Sequence, residues 1–242
     1  MKRKHFMIWA LSVLLAASPI LSPLASSPEK LLAAAAAEES VPFEYTNCGD
    51  HIEITRYTSK KYVMQIPAEI EGLPVTKIAP GAFKGDRDIA YASLPETLEE
   101  IGDEAFENCY SLTTIDFSTP SYMKIGAYAF YNCPKLEAAI LPDSVEEIDF
   151  GAFAYCGMHH AVLPASLRKL PKWAFAYNMQ LDTVMFPAGI ERIEEDAFRQ
   201  CDSLHTICYK GAAAAWSVLS IDCGNEVFTY FFQIFYLNSG TI

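Results

Sequence analysis

"IGDEAFENC", residues 101–109, returns as "IGAYAFYNC" at 125–133, "IDFGAFAYC" at 148–156 and "IEEDAFRQC" at 193–201. An Ala-Phe pair ends at Phe83, Phe106, Phe130, Phe153, Phe175 and Phe198, at spacings of 23, 24, 23, 22 and 23 residues. Five places before each Phe stands an aliphatic residue: Ile78, Ile101, Ile125, Ile148, Leu170 and Ile193. Six places after most of them stands another, at Ile89, Leu112, Leu136, Leu181 and Leu204. Met158 takes that place one residue early, in the 22-residue unit. Three registers held over six copies predict a solenoid, in which no coil buries its own apolar face and each stacks on its neighbours.

Each unit has a strand half and a return half. "ASLP", "AILP", "AVLP" and "VMFP" each close a short β-like stretch with Pro, which has no N–H to continue a ladder. The Ala-Phe half has no sustained helical period and reads as turns or short 3-10 segments. The Phe side chains are expected to point inward and stack from coil to coil. Three places after Phe the chain carries Cys109, Cys133, Cys156, Asn178 and Cys201, with Asp86 in the first coil. These are small polar groups suited to hydrogen-bonding backbone in a tight turn. Disulfide staples are the competing reading, but ladder side chains point in parallel and Asn178 interrupts the run of cysteines, so free buried thiols are expected. Cys48, Cys208 and Cys223 stand outside it, and their pairing is not readable.

Around this array lie three other segments. Lys2, Arg3 and Lys4 precede an apolar run from Phe6 to Ala17, and small residues follow to Ala37. Residues 1–37 therefore read as a secretory signal peptide, with cleavage near Ala37 or Ala25. No Cys closes the apolar run, so no lipoprotein signal is expected, and no stable membrane span remains after cleavage. Residues 38–62 read as an N-terminal cap hairpin, because "FEYT" and "HIEITRY" alternate around Asn47-Cys48-Gly49-Asp50. The repeats take residues 63–210, and residues 211–242 form a C-terminal cap. Its apolar stretch "VFTYFFQIFYL", 227–237, is expected to act as a cap strand, with a dimerising edge as the other reading.

Charge and composition narrow the function. Of 18 bases and 30 acids, residues 1–37 hold four and one, which leaves the remainder at 14 against 29, a net −15. Phosphate binding needs clustered Lys and Arg, so nucleic acid is excluded as a partner. No catalytic, cofactor or metal site is expected. Cys156 lies near His159 and His160 in sequence, but a ladder position repeated in most coils reads as structural. Cysteines without C-x-x-C pairing do not make a zinc site. There is no Gly-rich phosphate loop. Glu99-Glu100, Glu146-Glu147 and Glu194-Glu195 read as a solvated edge.

The units resemble the bacterial BspA-like leucine-rich repeat family, most closely in "LPETLEEIGDEAFENCYSLTTIDF" 94–117 and "LPDSVEEIDFGAFAYCGMHHAVLP" 141–164. The opening at 54–83 and the close at 208–238 are also similar to that family's ends. The resemblance implies a mainly β leucine-rich repeat solenoid of about six 22–24-residue coils with turns or 3-10 returns. It adds a helix-plus-strand C-terminal cap. It implies a secreted or cell-surface bacterial protein with an adhesin-like, non-enzymatic role. The strand alternation places Tyr91, Thr114, Ala138, His160, Thr183 and Thr206 in one exposed column. Ser93, Asp116, Ile140, Val162, Met185 and Cys208 form the next. Tyr91, Asp116, Ile140, His160, Val162 and Met185 are thus the candidate contacts for an extracellular protein or glycan, bound by a monomer. The alternative function is a self-associating structural subunit of the cell envelope or extracellular matrix.

Overall fold

The computed structural model describes residues 41–117, 122–230 and 233–237. The expected signal peptide lies outside them. Pro42–Ile242 form one compact unit. Its elements, in order, are β1 (Phe43–Asn47), β2 (Ile52–Tyr57), β3 (Val63–Gln65), β4 (Glu69–Ile70), β5 (Leu73–Ile78), β6 (Tyr91–Leu94), β7 (Glu100–Ile101), β8 (Thr114–Phe117), β9 (Met123–Ile125) and β10 (Ala138–Ile140). There follow β11 (Val145–Ile148), β12 (His160–Val162), β13 (Lys169–Leu170), β14 (Thr183–Phe186), β15 (Arg192–Ile193), β16 (Thr206–Tyr209), α1 (Ala213–Trp216), β17 (Ser220–Ile221), α2 (Val227–Tyr230) and β18 (Gln233–Tyr236).

Each coil contributes strands to two parallel ladders. One runs β2-β5-β7-β9-β11 and resumes as β13-β15-β17; the other runs β3-β6-β8 and resumes as β10-β12-β14-β16-β18. Both breaks fall at coils whose length departs from 23 residues. β1 pairs antiparallel with β2, so the hairpin lies over the first coil. The chain is mainly β, with helix confined among the described residues to two four-residue turns near the C-terminal end.

The return halves are ladders too, and their amides can be accounted for one by one. The N–H groups just before and just after each Phe bond three residues back, as in Ala129 to Gly126 and Tyr131 to Tyr128. The N–H groups of most of the Phe residues, and of residues two places either side, instead reach the next coil, as in Tyr128 to Phe150, Phe130 to Ala152 and Asn132 to Ala154. That alternation needs left-handed backbone twice per coil, which explains positive φ at Glu104 and Asn108, Tyr128 and Asn132, and Trp173 and Tyr177. Such a φ costs a bulky residue on the order of 1 kcal/mol or more, offset here by the hydrogen bonds it aims and by ring stacking.

Inside the coil, Phe106, Phe130, Phe153, Phe175 and Phe198 stack with centroids 5.1–5.7 Å apart and planes within 13° of parallel. Phe83 joins them at 4.8 Å, tilted by 44°. The thiols are free and buried at Cys109, Cys133, Cys156 and Cys201. Each Sγ donates to the Phe carbonyl of the preceding coil: to Phe83, Phe106, Phe130 and Phe175, at 3.1–3.2 Å.

Asn178 departs from this ladder for a structural reason. In the coils at Cys109 and Cys201, the Cys N–H bonds to the Phe carbonyl three residues back. In the 22-residue coil the Cys156 N–H donates instead to Asn178 Oδ1 at 3.0 Å. Asn178 Nδ2 donates to both Phe153 O and Phe175 O, at 2.8 and 2.7 Å. Tightening is possible because Gly157 follows Cys156: a β-carbon there would run into the Pro134 carbonyl. A thiol offers one weak donor and no acceptor equal to an amide oxygen. Asn178→Ala is expected to cost about 2–3 kcal/mol by leaving these buried groups unsatisfied. Asn178→Cys should recover less than half of that loss in urea titrations, and full recovery would contradict this account.

Candidate partner-binding face

The strands of the second ladder present alternate side chains outward. Pairing puts Tyr91 beside Thr114 and Ser93 beside Asp116 in the β3-β6-β8 sheet. In the β10–β18 sheet, Ala138, His160, Thr183, Thr206 and Gln233 share one column. Ile140, Val162, Met185, Cys208 and Phe235 share the next.

Two corrections follow. The candidate contacts do not share one unbroken sheet: Tyr91 and Asp116 lie in the sheet before the break, and Ile140, His160, Val162 and Met185 in the one after it. Val162 and Met185 are half-buried, whereas Ile140 is 60% exposed and His160 is exposed. Tyr91 and Asp116 are engaged with each other, the tyrosine hydroxyl donating to the carboxylate at 2.8 Å, which raises the Tyr91 pKa. The apolar column is also longer than the sequence indicates, since β18 adds Phe235. The margin of this sheet, one residue before each strand, carries Glu137, His159, Asp182 and His205, joined through successive backbone hydrogen bonds.

The Cys156 thiol donates to Phe130 O in the interior, while His159 and His160 are exposed. The structure does not bring them together as nucleophile and base. No group of three or more potential metal ligands is found among the described residues, and no described helix is long and apolar enough to cross a membrane.

The paired acids are not merely solvated. Glu100 meets Lys77 at 3.1 Å, Glu147 meets Lys124 at 3.7 Å, Glu194 meets Lys169 at 3.2 Å and Glu195 meets Lys172 at 2.7 Å. These exposed pairs align neighbouring coils and contribute little stability individually, about 0–1 kcal/mol.

A second aromatic ladder, unnoticed in the sequence, runs outside the return halves. Tyr131, Tyr155 and Tyr177 follow one another at 5.3 and 4.3 Å, and Phe150 stacks on Trp173 at 5.9 Å. The Tyr155 and Tyr177 planes are 9° apart, so those faces cover each other. The signal was available, because the aromatics fall within three residues of the repeated Phe. These rings are half-buried, as Val162 and Met185 are.

These features match known proteins closely in architecture. The model of the BspA type leucine rich repeat region matches six copies over residues 76–205. Among solved structures, the T. pallidum leucine rich repeat protein TpLRR is 29% identical, covering 79% of this chain and 87% of that one, with a TM-score of 0.68. The pneumococcal vaccine antigen PcpA shares the fold at 16% identity, over 82% of this chain and 49% of its own, with a TM-score of 0.61. No curated protein matches the chain. The matched repeats span more than half of the sequence, with the coil-to-coil Phe stacking expected of them, and the chain belongs to the BspA type leucine-rich repeat family.

Proposed function

We propose that the chain is a secreted or cell-surface binding module that holds an extracellular protein, or a glycan, on the exposed strands of the β10–β18 sheet. The observation that carries this reading is the register of Ile140, Val162 and Met185, which aligns three apolar side chains across adjacent parallel strands. A contiguous outward apolar stripe costs solubility and marks partner sites. The basic, apolar and small-residue order of residues 1–37 supports export. The net −15 beyond it favours partners that are neutral or basic at the contact.

The test uses the chain from residue 38 onward against immobilised extracellular-matrix proteins and the producer's envelope fraction. The double variant Val162→Asp, Met185→Asp is expected to lose at least about tenfold in retention of whatever the parent holds, since two desolvated carboxylates each cost more than a factor of ten. Its melting temperature, read alongside, should stay within a few degrees. Equal retention by parent and variant would sink the assignment of this face.

A further inference from the structure

The two ends of the solenoid are finished differently. At the first coil, Ile52, Ile54 and Met64 are fully buried, under a hairpin whose Phe43 packs on Tyr57 at 5.2 Å. At the last coil, the cap closes the Phe stack: Phe228 meets Phe198 edge-on at 5.4 Å. Asn225 Oδ1 also accepts the Phe198 N–H at 2.9 Å. Among the described residues, the two strand ladders are left open. Ile221 is in register with Ile193, yet is 38% exposed where Ile193 is 0%. Tyr236 is in register with Tyr209, yet is 39% exposed where Tyr209 is 1%. Val218, Phe235 and Leu237 are exposed at the same end. Among the described residues, β17 and β18 are terminal strands with no partner on their outer edges.

We propose that this end docks against the same end of a second copy, β18 pairing antiparallel with its own counterpart across a two-fold axis. Identical edges related by a two-fold axis pair antiparallel, and the contact closes without forming a filament. Charge supports a second copy meeting here. Natural edge strands are usually blunted by charge or Pro, and residues 227–237 contain neither. In a chain of net −15, this uncharged stretch is where two copies approach with least repulsion. Size supports it too. Five partly exposed apolar side chains offer roughly 400 Å² per copy. Doubled, and joined by the paired strand edges, that approaches the ~1,000 Å² of a specific interface. The contact is therefore a weak, reversible dimer, in place of the monomer expected from the sequence.

Sedimentation equilibrium of the chain from residue 38 onward, in reducing buffer over a wide concentration range, should show the mass doubling and no more. Raising the salt should strengthen the association by screening the net charge. The variant Ile221→Asp, Leu237→Asp should sediment as a monomer, and Tyr62→Asp at the opposite end should dimerise as the parent does. Val162→Asp, Met185→Asp should also dimerise, which separates this proposal from the binding face. Amide exchange of the parent offers a reading that needs no variant, since β18 protection should rise with concentration. A parent that stays monomeric throughout, growth beyond two copies, loss of association in Tyr62→Asp, or β18 exchange independent of concentration would each overturn the proposal.

Discussion

Phe153→Ala is expected to destabilise the chain by about 3–5 kcal/mol, the sum of lost transfer free energy and an unfilled cavity. Phe153 is fully buried between Phe130, at 5.1 Å and 8°, and Phe175, at 5.3 Å and 9°. Its ring cannot be replaced by a neighbour's movement, because both neighbours are held by their own coils. Their amides and carbonyls are committed to the inter-coil ladders. The loss corresponds to a fall of roughly 10 °C in melting temperature for a domain of this size. Phe83→Ala is the control. Phe83 has a Phe neighbour on one side only, tilted by 44°, so its loss should be smaller. Calorimetry or urea unfolding of both variants decides the matter. Equal losses at the two positions would show that stacking along the ladder adds nothing to simple burial.

The fold was legible because the repeat is redundant: three apolar registers, six times over, admit one stacking frame. Strand register followed directly, and the pairs Val162–Met185 and Ser93–Asp116 are those read from the spacing. Features set once, not six times, stayed hidden. The break that separates Asp116 from Ile140 is a local consequence of one longer coil, and no neighbouring copy repeats it. Asn178 looked like an interruption of the Cys ladder until the shortened coil showed which N–H group it must satisfy. Phe235 extends the apolar column, but residues 227–237 are apolar at almost every position. Their alternation therefore carried no register. The outer tyrosines were legible in principle, but they hold no constant register: Tyr131 stands one place after its Phe, and Tyr155 and Tyr177 two places after theirs. The candidate face was readable as a column of residues, but its half-burial was not. How deeply Val162 and Met185 sit depends on neighbours in adjacent coils.

Mild alkali is expected to weaken the fold before most of the tyrosine and lysine titrates. Burial pushes the Cys109 thiol far up and the Cys201 thiol to about 12; Cys133 is raised by the neighbouring Cys156 thiol and by burial. In the unfolded chain each ionises near ~8.5. Folded-state values above unfolded ones mean that the neutral thiols contribute stability fully below about pH 8.5. That contribution is lost as pH rises toward the folded values. At about pH 9.5 each thiol favours the unfolded state by ~1.4 kcal/mol, and the three together by about 4 kcal/mol. Exposed ion pairs do not confuse this window. Lys77, Lys84 and Lys172 are raised by hydrogen bonds to glutamates, and unfolded lysines titrate only near ~10.4. Urea midpoints measured at pH 7.5 and 9.5 should therefore fall steeply for the parent chain. In Cys109→Ala, Cys201→Ala the pH 7.5 midpoint should already be lower, because buried groups are lost, but the further fall to pH 9.5 should shrink to about one third of the parent's as two of three titrating thiols are removed. If parent and variant lose the same stability over that interval, the thiols are not the groups that hold the ladder's protons, and the alkaline loss belongs to the tyrosines, of which Tyr45, Tyr91, Tyr131 and Tyr155 are raised in the folded chain.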